Sequence, residues 1–272
     1  MSSYLTNGNF NCCCCCGGCE QKCPQKCITF EEKNGFKYPL VNKSLCIDCG
    51  LCERVCQYSD ENQSKFRKNK ALNTFAAWNK NSEKVQKSAS GGIFFSVAEK
   101  IISCGGIVFG AEYSNDFSVE IVSAFTIEAC IPFRKSKYVF SNIGKAYVQA
   151  EAFLKEGREV LFTGTPCQIA GLYSFLNRDY EKLFTMDIIC HGFSAPVMLK
   201  SFLEMMEKKY DNKVKSIDFR HKYSGKCEPI LKIIFENGII HEEPYRKSSY
   251  ELLYSSNAAL MTSCTSCKYV GI

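Results

Sequence analysis

Cysteine is concentrated at the amino-terminal end of this chain, and this limits what that end can fold into. The sequence has 19 cysteines, and 12 of them lie at or before position 56. Such density indicates either disulfides or metal. The first residues, MSSYLTNGNFN, are polar and do not resemble a secretory signal. In a reducing cytoplasm, cysteines at fixed spacing bind metal more often than they pair. We therefore predict a cytoplasmic metal-binding protein, with a secreted disulfide scaffold as the alternative.

Two cysteine runs repeat the spacing C-x2-C-x2-C-x3-C, which is typical of ferredoxins with two [4Fe–4S] clusters. Within the five consecutive cysteines at 12–16, a start at Cys13 is the one that gives this spacing. The first run is Cys13, Cys16, Cys19 and Cys23, followed by Pro24. The second run is Cys46, Cys49, Cys52 and Cys56, followed by Gln57 where proline is usual.

The fourth cysteine of each run is expected to bind the cluster of the other run. We expect this cysteine at the start of a short helix that directs it away from its own run. The first cluster site then consists of Cys13, Cys16, Cys19 and Cys56. The second cluster site consists of Cys46, Cys49, Cys52 and Cys23. A pair of structural zinc sites is the alternative, although zinc sites rarely use this spacing.

The rest of the sequence divides into three parts. Between the runs, ITFEEKNGFKYPLV predicts two strands around a turn at Asn34 and Gly35, so residues 1–62 are predicted to form an α+β ferredoxin-like two-cluster module. Residues 63–84 are polar and basic and are predicted to be a solvated linker. Residues 85–272 alternate helix and strand periods, which predicts a mixed α/β domain. That domain lacks both G-x-G-x-x-G and a Walker lysine motif.

Two glycine-containing turns precede predicted helices in this larger domain. They are SASGG at 88–92, the serine–glycine turn, and TGTPC at 163–167, the threonine–proline turn. Glycine lets a ligand approach the backbone, a hydroxyl residue is expected at each N-cap, and Pro166 fits the first helical position. Helix N-termini favour a pyrophosphate or a flavin carbonyl. Simple helix caps explain both turns equally well.

Four further cysteines come from separated loops: Cys167, Cys190, Cys264 and Cys267, here called the third thiol group. They could converge on a third cluster. Alternatively, Cys167 could be a nucleophile with His191 as its base, beside a separate redox pair at the C-x-x-C.

Charge and hydropathy argue against nucleic-acid binding and against a membrane-spanning segment. The net charge of +6 is too small to indicate nucleic-acid binding. No apolar run approaches the ~18 residues needed to cross a bilayer. We therefore predict neither a nucleic-acid partner nor a membrane span.

Several motifs occur in the order SASGGIF, SKYVFSNIGKAY, FTGTPCQIAGL, DIICHG and C-x-x-C-KY behind the two-cluster module. In this order they resemble the coenzyme F420 hydrogenase/dehydrogenase beta-subunit family, in particular its bacterial branch with an amino-terminal ferredoxin domain. The resemblance implies an oxidoreductase that relays electrons between [4Fe–4S] clusters and FAD, with residues 85–272 as the flavin-binding domain. Members usually continue with a segment similar to DITLGDFWG, whereas this sequence ends five residues after Cys267. The resemblance thus implies a domain shortened at its carboxyl end.

The resemblance also implies roles for particular residues. It implies FAD contacts from Ser88, Ser90, Gly91, Gly92, Thr163, Gly164, Thr165 and Pro166. It implies positions at the flavin ring or in the substrate pocket for Lys137, Tyr138 and Ser141, and a third [4Fe–4S] cluster on the third thiol group. Lys137 is the predicted catalytic residue, as an electrostatic partner of reduced flavin or of an anionic substrate.

The implied partners are a small-molecule substrate and a redox protein, such as ferredoxin or another oxidoreductase subunit. A ferredoxin-type electron carrier whose second domain only docks is the alternative function.

Overall fold

The computed structural model describes Leu5 and residues 11–59, 73–223 and 228–269. In this part of the chain, ten strands form sheets of two, five and three strands. Part of the predicted linker, residues 63–72, lies outside the described residues. No helix of the described ranges is long and apolar enough to cross a membrane.

The amino-terminal module contains a β-hairpin and two short helices. Strands β1 and β2 pair antiparallel, and the turn between them has positive φ at Asn34 (54°) and Gly35 (77°), as a tight hairpin turn requires. The hairpin that the sequence predicts is therefore confirmed. The elements are α1 (Gly18–Lys22), β1 (Ile28–Lys33), β2 (Phe36–Val41) and α2 (Leu51–Arg54).

The two cysteine runs fold into the same loop twice. Gly17 and Gly50 each have φ 69° and stand at the N-cap of α1 and α2. Two residues earlier, Cys15 and Asp48 also adopt positive φ, at 54° and 57°. Each run therefore turns through two left-handed residues before a short helix, which wraps the first three cysteines around one point.

One detail of the sequence prediction is wrong: the fourth cysteine of each run follows a short helix and does not start one. Cys23 is the C-cap of α1, and Cys56 comes two residues after the end of α2. The left-handed glycine starts the helix immediately before the third cysteine, so the helix lies between the third and fourth thiols. The fourth thiol still points away from its own loop.

The central sheet of the larger domain has the order β5-β4-β3-β6-β7. Strands β3, β6 and β7 are parallel, and β4 pairs antiparallel with β3. Helix α4 packs on one face, where Phe95 meets Val108 and Leu161, while α5 and α6 cover the opposite face. The elements are α4 (Ile93–Ser103), β3 (Ile107–Tyr113), β4 (Val119–Ala124), β5 (Ser141–Asn142), α5 (Ala146–Lys155), β6 (Val160–Gly164), α6 (Pro166–Leu176) and β7 (Leu183–Asp187).

A second, antiparallel sheet of order β10-β9-β8 completes this domain. An aromatic cluster joins it to its helices, and Tyr250 and Phe219 in that cluster are almost fully buried. The elements are α7 (Pro196–Tyr210), β8 (Val214–His221), β9 (Ile230–Phe235), β10 (Ile240–Pro244), α8 (Ser249–Ser255) and α9 (Thr262–Thr265). The mixed α/β arrangement predicted from the alternating periods is confirmed.

The amino-terminal module packs directly on α5 and α6 of the larger domain. A Cβ atom at Gly171 of α6 would lie 2.6 Å from the Tyr147 hydroxyl and 3.3 Å from Cβ and Sγ of Cys16. Nearby, Lys22 lies over the Phe175 ring at 4.3 Å and donates to the Phe175 carbonyl at 3.2 Å. Glycine at 171 thus lets the first cysteine loop approach the helix closely.

The carboxyl end of the predicted linker is folded and packs against the serine–glycine turn. It contains α3 (Ser82–Gln86), which Asn81 caps. The backbone N–H of Asn79 donates to the Gly91 carbonyl at 2.7 Å, and a Cβ at Gly91 would lie 2.7 Å from the Ala77 carbonyl. Gly91 is therefore needed where this segment crosses the turn.

Candidate iron–sulfur and cofactor sites

The first cluster site surrounds a cavity of about 350 Å³ in the amino-terminal module. Its lining includes all four cysteines predicted from the spacing, which are Cys13, Cys16 and Cys19 of the first run and Cys56 of the second. Cys14 and Cys15, which are outside the predicted ligand set, line it as well. Most of these thiols are buried, as a cluster shielded from water requires.

The second cluster site surrounds a separate cavity of about 630 Å³. Its lining includes the three thiols of the second run and the fourth thiol of the first, namely Cys46, Cys49, Cys52 and Cys23, together with Cys27. Cys49 is exposed, so this site lies nearer to solvent than the first.

The donor sets of both cavities fit [4Fe–4S] clusters. A tetrahedral zinc ion would draw four thiolates to about 2.3 Å from one point. Within the described ranges, no three His, Cys, Asp or Glu side chains converge closely enough to hold a single ion. Three thiols of one run and a fourth from the other are the donor set that a [4Fe–4S] cluster uses.

The third thiol group comes together from three loops. Cys167 is in the first turn of α6, Cys190 follows β7, and Cys264 and Cys267 belong to α9 and the residues after it. Burial and, to a smaller extent, the charges of the other three thiols of the group together raise the pKa of Cys190 to about 12. Burial likewise raises the pKa of Cys264 to about 11. Sequence reasoning left convergence of these thiols open and the resemblance implied it; in the structure the charges of the other three thiols act on Cys190.

One buried thiol outside all three predicted ligand sets influences two of them. Cys14 lines the first cavity, and it affects the pKa of both Cys16 of the first cluster site and Cys167 of the third thiol group. The hydrogen bond from Cys14 lowers the pKa of Cys16 to about 7, and it is also the main cause of a lowered pKa at Cys167. The Gln57 side-chain amide donates to Cys14 Sγ at 2.8 Å. Sequence reasoning missed this contact, and its one signal was glutamine where proline is usual.

The serine–glycine and threonine–proline turns lie at the same edge of the central sheet. Helix α4 runs back into β3, and α6 leaves β6, so both helix N-termini lie at the carboxyl ends of parallel strands on opposite faces. In open α/β sheets this edge is where ligands bind.

The two helices are capped differently, and one of the two sequence predictions is wrong. Helix α6 has the predicted Thr165 N-cap, reinforced by Gln168 in a capping box, with Pro166 as its first residue. Helix α4 begins at Gly92 with φ 77° and has no hydroxyl cap. Ser88 Oγ instead donates to the Lys84 carbonyl at 2.7 Å, because the turn continues directly from α3.

Cations surround the serine–glycine turn. Lys222 Nζ donates to the Ser90 carbonyl at 2.6 Å, and burial, then Arg220 and Lys135, lower the pKa of Lys222. Arg134 stacks on the Phe95 ring at 3.5 Å, and its buried Nε has no hydrogen-bond partner in the described structure. The Lys222 amine and the unpaired buried Nε of Arg134 fit an anionic cofactor such as FAD.

Other residues that the resemblance assigns to the flavin are engaged within the protein. The Tyr138 ring stacks on Tyr245 at 5.2 Å inside the aromatic cluster. Ser141 Oγ accepts from Gln168 at 3.0 Å, and Thr163 Oγ1 donates to the Phe109 carbonyl at 2.8 Å. Their contact with a flavin stays a prediction.

Lys137 is held by backbone carbonyls beside this region. Its Nζ donates to the carbonyls of Pro132 at 2.6 Å and Arg134 at 3.0 Å. Burial lowers the pKa of Lys137 to about 7, although the carboxylates of Glu112 and Asp218 act in the opposite direction. The amine is therefore suited to change its charge near neutral pH.

Comparison with known proteins agrees with the sequence motifs. Residues 157–270 match the family model for the C terminus of the coenzyme F420 hydrogenase/dehydrogenase beta subunit. Residues 39–59 match the 4Fe-4S binding domain. The carboxyl-terminal part of the chain is thus similar to the F420 hydrogenase/dehydrogenase beta subunit, and its amino-terminal part contains a 4Fe-4S binding domain. All four thiols of the third group lie inside the family match, and the second cysteine run lies inside the 4Fe-4S match.

Individual proteins similar to this chain are distant in sequence. The F subunit of F(420)H(2) dehydrogenase from Methanosarcina mazei is 24% identical over 204 residues, which is 71% of this chain and 57% of the relative. The chain thus spans little more than half the length of that curated relative. A chain of the F420-reducing [NiFe] hydrogenase complex from Methanosarcina barkeri is 22% identical with a TM-score of 0.43, covering 62% of this chain and 59% of that one.

The thiol-enzyme alternative finds little support in the geometry. His191 Nε2 donates to Asn257 Oδ1 at 2.7 Å, and its ring lies 5.1 Å from the Tyr254 ring. Cys167 Sγ has Thr165 Oγ1 at 3.2 Å and the Cys14 thiol as its partners. The proposed base and the proposed nucleophile are thus bound to other groups.

The buried Lys137 amine gives stability a pH dependence that its substitution should remove. Folding lowers the pKa of Lys137 to about 7 from its usual 10.5. Between these values the unfolded chain binds more protons, so this amine makes stability rise with pH. The free energy of unfolding, measured in urea, should be compared between wild type and Lys137→Met at each pH. The value for wild type minus the value for the variant should increase as the pH rises through this window. A difference that stays flat or falls would contradict the lowered pKa.

Proposed function

We propose that this protein is an iron–sulfur flavoprotein oxidoreductase subunit of the F420 hydrogenase/dehydrogenase beta-subunit type, which relays electrons between [4Fe–4S] clusters and FAD and thereby oxidises or reduces a small-molecule substrate. The observation that carries the proposal is the pair of cavities, each lined by the four cysteines that the spacing assigns to it. When bound, the clusters would supply one-electron transfer, and the flavin would supply the change to two-electron chemistry.

Electron transfer would pass through three sites in this proposal. A redox partner protein would approach the second cluster site, where Cys49 is exposed. The first cluster site lies deeper and contacts α6 through Gly171 and Cys16. The third thiol group begins at Cys167 of that same helix. The sites therefore follow one another from the surface into the larger domain.

The cationic surroundings of the serine–glycine turn support FAD at the carboxyl edge of the central sheet. Lys222 and Arg134 would offset the pyrophosphate charge, and Lys137 would stabilise negative charge on the reduced flavin or the substrate. The substrate and the partner protein remain part of the proposal, because the chain covers 57% of the F(420)H(2) dehydrogenase component that it resembles. The cytoplasmic location stays a prediction.

Anaerobic purification with iron, sulfide and flavin counted per chain tests this function. Three clusters require about 12 iron and about 12 sulfide per chain, and we expect about one FAD. Protein with iron but no flavin would favour the ferredoxin-type electron carrier instead. Colourless protein without iron would overturn the proposal altogether.

A further inference from the structure

The side chain of Gln57 connects the amino-terminal module to the carboxyl end of the larger domain. It is fully buried, with 0% exposure. Its Nε2 donates to Cys14 Sγ at 2.8 Å, and Cys14 lines the first cavity. Its Oε1 accepts from the Tyr269 hydroxyl at 2.6 Å. A buried carboxamide with a partner at each end is fixed in place, because losing either partner would leave a polar group unpaired.

Neighbouring side chains extend this link into a docking contact. The Tyr58 ring meets the Tyr269 ring edge to face, and the two centroids are 6.3 Å apart. Lys268 Nζ lies 5.7 Å from the centroid of the Tyr58 ring. Such ring contacts stabilise a packed pair beyond the area that they bury. Gln57 and Tyr58, which directly follow the second cysteine run, therefore hold two consecutive residues of the segment 267–269, here called the tail.

The tail carries one thiol of the third group. Tyr269 comes two residues after Cys267, and two residues span at most ~7 Å of chain. The other cysteine of the C-x-x-C, Cys264, is held differently. Its Sγ accepts from the Phe193 backbone N–H at 3.4 Å, and its own backbone N–H donates to the Met261 carbonyl at 2.9 Å. The larger domain itself thus positions Cys264, whereas the amino-terminal module anchors the residues beside Cys267.

Proline, the residue usual after the fourth cysteine of such a run, could not form this link. It has no side-chain amide, so it could neither donate to Cys14 nor accept from Tyr269. Glutamine does both with one side chain. The position at which the second run departs from the ferredoxin pattern is therefore also the position at which it is tied to the larger domain.

We propose that Gln57 is a positioning residue for the third cluster: together with Tyr58 it docks the tail, and it thereby holds Cys267 where the other thiols of the third group can share a cluster with it. The third site then depends on both domains, and the amino-terminal module supplies part of its support as well as its electrons. This inference rests on the proposed function, since it requires a cluster on the third thiol group.

Hydrogen–deuterium exchange of the whole iron-loaded protein tests the docking. In Gln57→Met, which loses both hydrogen bonds, the backbone amides of residues 262–269 should exchange about tenfold faster than in wild type. Tyr269→Phe loses the hydroxyl and keeps the ring, so its increase should be smaller, and it decides the test if Gln57→Met does not fold. Tyr180→Phe removes a buried hydroxyl that has no hydrogen-bond partner in the described structure, and exchange of the tail should not change. Wild-type exchange in both tail variants would refute the docking.

Iron analysis and EPR spectroscopy of the same proteins test the effect on the third cluster. Gln57→Met should give the iron content and the EPR spectrum of Cys267→Ala, with a loss of up to about four iron atoms per chain. The signals of the first and second clusters should persist in both variants. If Gln57→Met instead gave the spectrum of Cys56→Ala, Gln57 would serve the first cavity, which it also lines, and the inference would be overturned.

The iron content of wild type separates this inference from the proposed function. Wild-type protein with about eight iron atoms would refute the third cluster of the proposed function, and with it the role of Gln57 toward that cluster, before any variant is compared. Wild-type protein with about 12 iron atoms, together with an unchanged spectrum in Gln57→Met, would refute the inference alone.

Discussion

The Cys56→Ala variant will lose the first cluster, although Cys56 belongs to the second cysteine run. Cys56 lines the first cavity together with three thiols of the other run. Without it, one iron of that cluster has no protein thiolate. Iron should fall by about four atoms per chain, and the second cluster should persist. EPR spectra of the reduced variant identify the cluster that is lost.

Matched variants decide this prediction. Cys56→Ala and Cys13→Ala should leave the same EPR spectrum, because both variants disrupt the first cluster site. Cys23→Ala should instead match Cys46→Ala, because both of those residues line the second cavity. Cys12→Ala removes an exposed thiol and should retain all iron. If Cys56→Ala matched Cys46→Ala instead, each run would hold its own cluster and the exchange of ligands would be wrong.

Gly171→Ala is expected to separate the amino-terminal module from helix α6. The new Cβ would lie 2.6 Å from the Tyr147 hydroxyl, and Tyr147 is fully buried and donates to the Gln168 carbonyl at 2.7 Å. The new Cβ could not shift away from Tyr147, because Cβ and Sγ of Cys16 would lie 3.3 Å from it. Overpacking of this kind costs about 1–3 kcal/mol. Denaturant unfolding followed by circular dichroism should show a loss of this size.

A double variant separates the steric cause from other effects. Tyr147→Phe removes the hydroxyl that the added methyl group would meet, so the loss caused by Gly171→Ala should be smaller in the Tyr147→Phe background. Gln149→Ala, an exposed change on the neighbouring helix, should stay within about 0.5 kcal/mol of wild type. Strictly additive losses from the two substitutions would show that the close approach at Gly171 does not limit packing.

The sequence predicted those features that depend on local spacing. The hairpin turn at Asn34 and Gly35 follows from two residues that tolerate positive φ between apolar segments. The strands and helices of the larger domain follow from their apolar periods, and the helix that Pro166 begins follows from its fixed φ. Interactions within a few residues of one another determine all of these elements.

Features that depend on contacts between distant segments could not be predicted. The Gln57–Tyr269 hydrogen bond joins residues 212 positions apart. The role of Gly171 depends on a loop from another part of the chain, and no local pattern distinguishes it from any glycine in a helix. Even the capping of α4 by Gly92 follows from the preceding helix α3, which fixes the path of the turn.

The fourth cysteine of each run lines the cavity of the other run, and this also affects when each site can be completed during protein synthesis. Because Cys56 completes the first cavity and Cys23 completes the second, the ribosome must release both loops before either site has its full set of thiolates. Iron delivered to a nascent chain that ends before Cys56 would meet only three of the four thiols assigned to the first site. Maturation of the two proposed centres would therefore begin together, after the hairpin between them has closed.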